Sequence, residues 1–239
     1  MSRVSTTGFV LHARPFRDNS RVLDLLTEAE GRTACLYRGR GAACRSFVRH
    51  ELVWQGRGEL KTLSLMEEQA AFDLPAPRLA CGFYLNELAL KLLPRQIPLE
   101  GLVDEYAEAL ARLADPQAAL EPPLRRYELH LLRHLGEGLD SLDTGALDAG
   151  GAYVYEPQRG LRPASAAEVS RGDFVHGGTL RELLEGRLAS RQARQEAKHM
   201  LRGLLDYHLQ GRRIISRALL RPHSPDHSRP RGVAPDNDA

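Results

Sequence analysis

The chain has 239 residues with an ordinary globular composition, 42% hydrophobic and 27% charged. Its formal net charge of +2 is too small to attract a polyanion by itself, so any nucleic-acid surface must come from where the charges lie. Three cysteines without a C-x-x-C pair argue against a disulfide framework and a four-thiolate zinc site. We find no signal peptide and no apolar run of about 18 residues, and therefore expect a soluble, reduced, cytoplasmic protein.

The first ~75 residues carry the pattern of a small β-barrel. Five short runs of β-branched and apolar residues are separated by turn residues, at positions 7–13, 21–27, 32–38, 50–55 and 59–66. Gly56-Arg57-Gly58 joins the last two runs as a tight hairpin. Five strands in this length predict the five-stranded oligonucleotide-binding (OB) fold.

From residue 78 onward the apolar spacing becomes helical. Helices are predicted at 79–93, 99–113, 122–136, 178–188, 189–209 and 212–220, with a Gly/Asp-rich region at 137–175 that contains a small hairpin at 153–161. The predicted fold class is α+β, with an OB domain at 1–77 and a helical domain at 78–221. The proline-rich, polar residues 222–239 are expected to be disordered.

The stretch Y-R-G-R-G-A-A-C-R-S-F-V-R-H at 37–50 has no acidic residue. A phosphate-binding P-loop needs G-x-x-x-x-G-K-[ST] between a strand and a helix. Here Cys44 stands where the second glycine belongs, Arg45 replaces the lysine, and no helical pattern follows directly. The stretch is therefore not a P-loop.

A nucleic-acid surface fits these residues better. From position 32 to 61, seven cations stand against two acids and are interleaved with three aromatic residues. Guanidinium groups neutralise phosphates and flat rings stack on bases. The alternative is a barrel core with a solvated rim; we favour core for Trp54 and binding for the arginines. The DNA-binding candidates of the barrel are Arg14, Arg32, Arg38, Arg40, Arg45, Arg49, Arg57 and Lys61.

A second basic surface is predicted on the long helix near the end of the chain. Arg187, Arg191, Arg194, Lys198 and Arg202 recur at steps of three or four, which in one continuous helix forms a cationic stripe. A solvated helix face normally contains more acids, so binding of DNA or another acidic partner is favoured. Arg191, Arg194 and Lys198 are the DNA-binding candidates of this helix.

Catalytic and metal chemistry find little support. His130 and His134 have the i, i+4 spacing of a metal pair but lack the H-E-x-x-H glutamate and an obvious third ligand. We predict no catalytic residue, no metal and no cofactor. Two alternatives to a DNA-binding protein stay open, a protein–protein adaptor with weak DNA affinity and a metal-dependent hydrolase using these two histidines.

The chain resembles the bacterial recombination-mediator family RecO over residues 7–221. The order and spacing of six segments carry the resemblance: F-V-L-H-A-R-P-F (9–16), L-T-E-A-E-G-R (26–32), G-R-G-E-L-K-T-L (56–63), Y-L-N-E-L (84–88), P-L-R-R-Y-E-L-H-L-L-R-H-L-G (123–136) and I-S-R-A-L-L-R (215–221). The resemblance implies an OB barrel and a helical domain that bind single- and double-stranded DNA and anneal strands. It also implies partnership with RecR. Together the two proteins help RecA displace the single-stranded-DNA-binding protein at the nucleoid.

Two further expectations follow from the resemblance. Many members hold zinc with four cysteines in the helical domain, but residues 137–175 contain no cysteine, so we expect no zinc. In related proteins the acidic C-terminal tail of the single-stranded-DNA-binding protein docks on this domain, and such a tail needs a guanidinium beside an apolar pocket. Arg125 with Leu129 is the favoured position, and Arg126 is either part of it or structural.

Overall fold

The computed structural model describes residues 3–17, 19–39 and 44–220. The predictions for Arg40 and for the tail at 222–239 concern residues outside these ranges. The N-terminal part is a closed barrel in the order β1-β2-β3-β5-β4, with β1 also paired to β4. Its strands are β1 (Arg3–Pro15), β2 (Ser20–Thr27), β3 (Gly31–Arg38), β4 (Val48–Gln55) and β5 (Leu60–Ala71). The predicted five-stranded OB fold is confirmed.

Alternating side chains build the barrel interior, because successive residues of a strand point to opposite faces. Trp54 is completely buried there, among apolar residues from all five strands, so the core interpretation of this residue is confirmed. The register shifts between Val10 and His12 in β1, and between Leu63 and Leu65 in β5 where it pairs with Trp54 and Val53 of β4, which marks β-bulges. Bulges bend strands sharply enough for a small barrel to close.

The C-terminal part is mainly helical. Its elements are α1 (Arg78–Leu92), α2 (Leu102–Ala114), α3 (Glu121–His134), β6 (Ala152–Glu156), β7 (Gly160–Pro163), α4 (Ala166–Arg171), β8 (Val175–His176), α5 (Gly177–Leu184) and α6 (Arg191–Leu209). The three short strands form one sheet in the order β7-β6-β8. A leucine-rich core joins the helices, and Tyr155 of β6 belongs to it.

The predicted helices near the end of the chain differ from the observed ones. The helix predicted at 178–188 ends at Leu184. The helix predicted from residue 189 begins at Arg191, because the Ser190 hydroxyl caps it by accepting a hydrogen bond from the Ala193 N–H at 2.9 Å. Arg187 therefore lies outside the helix and outside the cationic stripe. The segment predicted as a helix at 212–220 contains only a short 3₁₀ turn, Ile215–Ala218.

The barrel and the helices share a core and polar contacts. Phe9, Leu11 and Leu26 of the barrel pack with the helices. The Asn86 side chain of α1 donates a hydrogen bond to the Leu11 carbonyl at 3.0 Å. At Gly31, where φ is +58°, an added Cβ would lie 2.0 Å from the Ile97 carbonyl oxygen, so glycine allows this close approach. Among the described residues, no helix is long and apolar enough to cross a membrane.

Candidate nucleic-acid interface and partner groove

Four arginines meet at one end of the barrel, where β1, β2 and β3 lie side by side. Strand register places Arg14 opposite Val22, and Arg38 opposite Ser20, so both lie on the outer face of the sheet. Arg21 lies opposite Pro15 and Tyr37, and therefore on the other face of the sheet, while Arg17 belongs to the turn between β1 and β2. We call Arg14, Arg17, Arg21 and Arg38 the arginine end. None of the four has a carboxylate partner among the described residues.

An exposed ring accompanies these charges. Phe16 is 38% exposed, and the Arg17 guanidinium lies 5.4 Å from the centre of its ring. Tyr37, at the end of β3, is half-buried beside Arg21. Cations next to accessible rings can hold phosphates while bases stack.

Sequence reasoning found only Arg14 and Arg38 of the arginine end. Arg17 and Arg21 were missed, although the turn R-P-F-R-D-N-S-R that joins β1 to β2 contains both of them. The available signal was a hairpin turn holding three arginines around a phenylalanine.

Two of the predicted DNA-binding residues are internal, and the structure corrects those predictions. Lys61 is 4% exposed; its ammonium binds Glu30 and donates to the Thr33 hydroxyl at 3.2 Å. Burial lowers the pKa of Lys61. Arg32 pairs with buried Asp24 at 3.5 Å and donates to the Leu93 carbonyl, so it connects the barrel to the helical part. Both side chains face neighbouring protein, not solvent.

The other barrel candidates remain at the surface. Arg45 pairs with Glu68 at 2.8 Å, and Arg49 pairs with Glu28 at 2.8 Å and with Asp104 at 3.1 Å. Such surface pairs contribute only ~0–1 kcal/mol each, so a phosphate can replace the carboxylate. Arg57, in the β4–β5 hairpin, is exposed and has no partner among the described residues.

A groove of about 1190 Å³ lies on the helical part, between the start of α3, α6 and residues 211–220. Its floor includes apolar side chains such as Leu120, Leu124 and Ile214. Among the described residues, six cations line it and outnumber two acids, Glu121 and Asp206. The cations are Arg125, Lys198, Arg202, Arg212, Arg213 and Arg217. An apolar floor with a cationic lining suits an acidic peptide that ends in an apolar residue.

The stripe on α6 reaches this groove. Arg194 and Lys198 share Glu121, at 3.6 Å and 3.8 Å, and Lys198 also lines the groove. Arg191, the first residue of α6, is exposed and has no partner among the described residues. The predicted DNA-binding residues of α6 therefore lie beside the groove.

The three residues predicted to bind the acidic tail have different environments in the structure. Arg125 lines the groove, but its side chain is only 6% exposed and pairs with completely buried Glu128 at 2.8 Å. Arg126 pairs with Glu105 at 3.3 Å and Glu108 at 3.1 Å, both on α2. These ion pairs favour a structural role for Arg126 over tail binding. Leu129 is buried in the core and does not line the groove, so that prediction is corrected; Leu124 supplies the apolar contact.

The two histidines considered for metal binding have other contacts. His130 lies 3.0 Å from a Glu105 carboxylate oxygen, and burial lowers its pKa. In the part of the chain that the structure describes, no group of three or more His, Cys, Asp or Glu side chains could hold a metal ion. The surface residues described above are mainly cations and rings, and an OB barrel with such a surface beside a helical domain is typical of nucleic-acid-binding proteins.

Comparison with known proteins identifies the family. The family model described as Recombination protein O N terminal matches residues 1–72, and the one described as Recombination protein O C terminal matches residues 76–218. DNA repair protein RecO of Thiobacillus denitrificans is 37% identical over 234 residues, covering 90% of each chain. DNA repair protein RecO of Nitrosococcus oceani is 37% identical over 233 residues, covering 92% of this chain and 94% of the relative. The chain belongs to the RecO family of DNA repair proteins.

Proposed function

We propose that this protein is a non-enzymatic recombination mediator that binds single-stranded DNA along the arginine end of its barrel. The observation that carries the proposal is the group of four arginines without carboxylate partners among the described residues, beside exposed Phe16. Each guanidinium that contacts a phosphate releases condensed counterions, and this release drives binding without nucleotide hydrolysis. We assign Arg45, Arg49 and Arg57, elsewhere on the barrel surface, as further DNA contacts.

Strand annealing requires a second surface that holds DNA at the same time. We assign it to Arg191, Arg194 and Lys198 on α6, which also provide a site for double-stranded DNA. Neutralising phosphates on two strands lowers their mutual repulsion, while stacking on rings keeps bases accessible for pairing. In this assignment residues 1–77 bind one strand and residues 78–221 bind the other strand and protein partners.

The groove is assigned to the acidic C-terminal tail of the single-stranded-DNA-binding protein. Its six cations and apolar floor support this assignment, with Arg125 and Leu124 in the roles of guanidinium and apolar contact. Once bound to this tail, the chain would act together with RecR. The two would help RecA displace the single-stranded-DNA-binding protein at the nucleoid in the cytoplasm. In this proposal the barrel binds DNA and the groove recruits the protein partner.

Charge reversal tests the DNA-binding proposal. The variant Arg14→Glu/Arg17→Glu/Arg21→Glu/Arg38→Glu is expected to bind a labelled oligothymidylate at least ~100-fold more weakly at low salt. Its plot of log affinity against log salt should be flatter by about 3 units, since each single-strand phosphate contact contributes about 0.7. Fluorescence anisotropy between low and moderate salt gives both quantities.

A matched control has the same change in net charge. Arg112, Arg159, Arg171 and Arg187 are exposed and each pairs with an acid elsewhere on the surface. Reversing these four should weaken DNA binding only slightly. Equal losses in the two quadruple variants would mean that net charge alone attracts DNA, and the arginine end would not be the site.

A protein–protein adaptor is the second candidate, and the large cationic groove favours it. It predicts that charge reversal of Arg38, Arg40 and Arg45 leaves strand annealing intact while partner binding fails. The third candidate, a metal-dependent hydrolase, predicts activity that is lost in His130→Ala/His134→Ala. We expect that double variant to anneal DNA like the unmodified protein.

A further inference from the structure

A second cavity, of about 280 Å³, lies on another face of α6, against β6 and residues 173–175. The α6 residues that line it do not line the groove; they are His199, Met200, Gly203 and Leu204. Three aromatic rings also line it, those of Tyr153, Tyr155 and Phe174. We call it the aromatic cavity. Pockets for drug-sized ligands have volumes of about 300–1,000 Å³, so this cavity suits a single flat ring system.

Two rings of the aromatic cavity are held in place by contacts with neighbouring residues. The Tyr153 hydroxyl accepts a hydrogen bond from the Asp148 N–H at 3.0 Å. The Phe174 ring packs edge-on against the His176 ring, with the ring centres 5.0 Å apart. Tyr153 and Phe174 are both half-buried, so each still exposes part of its surface. Rings that are already ordered lose little conformational entropy when a ligand stacks on them.

Gly203 is not required by the packing of the fold. It lies inside α6, where glycine destabilises a helix relative to alanine. Among the described residues, an added Cβ would meet no other element within 4 Å, so no close approach explains the glycine. Gly203 lines the aromatic cavity. The missing side chain therefore keeps the cavity open and lets a ligand approach the helix backbone.

The charges around the aromatic cavity favour a neutral ring inside it and phosphates outside it. Among the residues that the structure describes, Asp173 is the one acid that lines the cavity, and no lysine or arginine lines it. Two exposed cations, Lys198 and Arg202, each directly precede a lining residue in α6. Both have only long contacts with a carboxylate, at 3.8 and 3.7 Å. Phosphates can therefore contact the helix while the attached base enters the cavity.

We propose that the aromatic cavity binds one unpaired nucleobase of a DNA strand whose phosphates lie along the cations of α6. The inference rests on the assignment of α6 as the second DNA surface and adds the place where that surface holds a base. A base in a duplex is paired and stacked, so removing it from the duplex costs free energy. The single strand therefore binds α6 more tightly than the duplex that forms from it, and pairing of the held base releases it from the cavity.

An apolar side chain of a protein partner is the other occupant that such a cavity could take. Two features favour a base. Every base is attached to a phosphate backbone, which the cations beside the cavity attract. The Asp173 carboxylate at the cavity can accept a hydrogen bond from an N–H group on the edge of a base, and an apolar side chain offers no such donor.

Two labelled oligomers of equal length test the cavity, an oligothymidylate and an abasic oligomer with the same number of phosphates. The background protein is Arg14→Ala/Arg17→Ala/Arg21→Ala/Arg38→Ala, so that the remaining binding at low salt comes mainly from α6. It should bind the oligothymidylate about tenfold more tightly than the abasic oligomer. Adding Gly203→Leu, which fills the cavity, should weaken binding of the oligothymidylate about fivefold and change binding of the abasic oligomer less than twofold. Fluorescence anisotropy measures both affinities.

Two further variants and a melting curve separate ligand binding from general effects. Phe174→Leu keeps apolar volume but removes the ring, and should weaken binding of the oligothymidylate about threefold while the abasic oligomer is unaffected. Ala111→Leu is the matched control, because Ala111 is exposed on α2 and lines neither the groove nor the cavity. It should bind both oligomers like the background protein. Gly203→Leu should raise the Tm by about 2–4 °C, since leucine is the better helix former, so its lost binding is not caused by unfolding.

Photocrosslinking locates the base in the unmodified protein. An oligothymidylate with 5-iodouracil in place of one thymine bonds covalently to adjacent aromatic side chains under ultraviolet light. Mass spectrometry should find crosslinks at residues 153–155, 174 or 199, besides those at the arginine end. Crosslinks confined to the barrel would overturn the inference.

The outcomes separate the cavity from the assignment of α6. If the background protein binds both oligomers equally, or if Gly203→Leu keeps the full preference for the oligothymidylate, the cavity is not a base site and the assignment of α6 stands. If the background protein binds neither oligomer at low salt, both are overturned. Lost binding of a protein partner by Gly203→Leu, with unchanged DNA binding, would assign the cavity to a partner's side chain and would also overturn the inference.

Discussion

At the scale of single residues, side chains of the same charge have different roles according to their surroundings. Arg57 and Lys61 are four positions apart and were both predicted to bind DNA. Arg57 is exposed in a hairpin, whereas Lys61 is buried against Glu30, Thr33 and the Trp54 ring, 5.8 Å from its centre. A buried cation stabilises the fold only together with its partners. We therefore expect Lys61 to have a structural role and Arg57 to be available for binding DNA.

Alanine substitution distinguishes these two roles. Lys61→Ala should lower the free energy of unfolding by about 2 kcal/mol, because Glu30 loses its buried partner. Binding of oligothymidylate to the folded variant should change less than twofold. Arg57→Ala should leave the free energy of unfolding within ~0.5 kcal/mol and weaken DNA binding. Urea denaturation and anisotropy measure these effects, and the reverse pattern would return Lys61 to the DNA surface.

At the scale of elements, α1 fixes one wall of the groove. The Glu87 carboxylate accepts hydrogen bonds from the Lys91 ammonium at 2.6 Å, the Ser216 hydroxyl at 2.6 Å, and the N–H groups of Ile215 and Ser216 at 2.9 and 2.8 Å. Burial alone would raise the pKa of Glu87, but these hydrogen bonds outweigh it and lower the pKa to about 2. One carboxylate thereby holds the 3₁₀ turn, and with it the groove wall, against α1.

This depressed pKa predicts a pH dependence. In the unfolded chain Glu87 has its ordinary pKa, about 4.5, so its contribution is complete above that pH and is lost as the pH falls towards 2. Glu87→Gln should lower the free energy of unfolding by about 2 kcal/mol at pH 7. The difference from the unmodified protein should shrink below pH ~4.5. Urea denaturation at several pH values measures it, and a difference independent of pH would contradict the assignment.

At the scale of the whole molecule, buried charges join the barrel to the helical part. Asp24 of β2 is 7% exposed and pairs with Arg32 at 3.5 Å and with Arg95, which follows α1, at 3.1 Å. The Gln96 N–H donates to the Arg32 carbonyl at 2.8 Å beside them. These contacts set the position of the arginine end relative to α6, which the proposed annealing on two surfaces requires.

Removing this carboxylate tests the junction. Asp24→Ala leaves Arg32 partly buried without its counter-charge and should lower the free energy of unfolding by about 3 kcal/mol. Asp104→Ala is the control: it also removes an ion pair between the two parts, but Asp104 is exposed and pairs with Arg49, so the loss should stay within ~0.5 kcal/mol. Calorimetry measures both, and equal losses would mean that Asp24 has no special role.

The sequence by itself determined the barrel and the main helices, because strands and helices leave periodic patterns within a few residues of one another. The place of Trp54 in a small barrel indicated its burial, and the resemblance of six ordered segments indicated the family. It also predicted that arginines form the DNA-binding surface. Only the tertiary structure decided which arginines bind internally: Arg32 donates to the Leu93 carbonyl and Arg95 to Asp24, across chain separations of 61 and 71 residues that no local pattern records. The same is true of the arginine end, which strand register assembles, and of the Tyr84–Glu128 contact between α1 and α3. Ion pairing and burial depend on packing between distant segments. Only the three-dimensional positions of the charged side chains therefore distinguish structural ion pairs from charges that are exposed for binding.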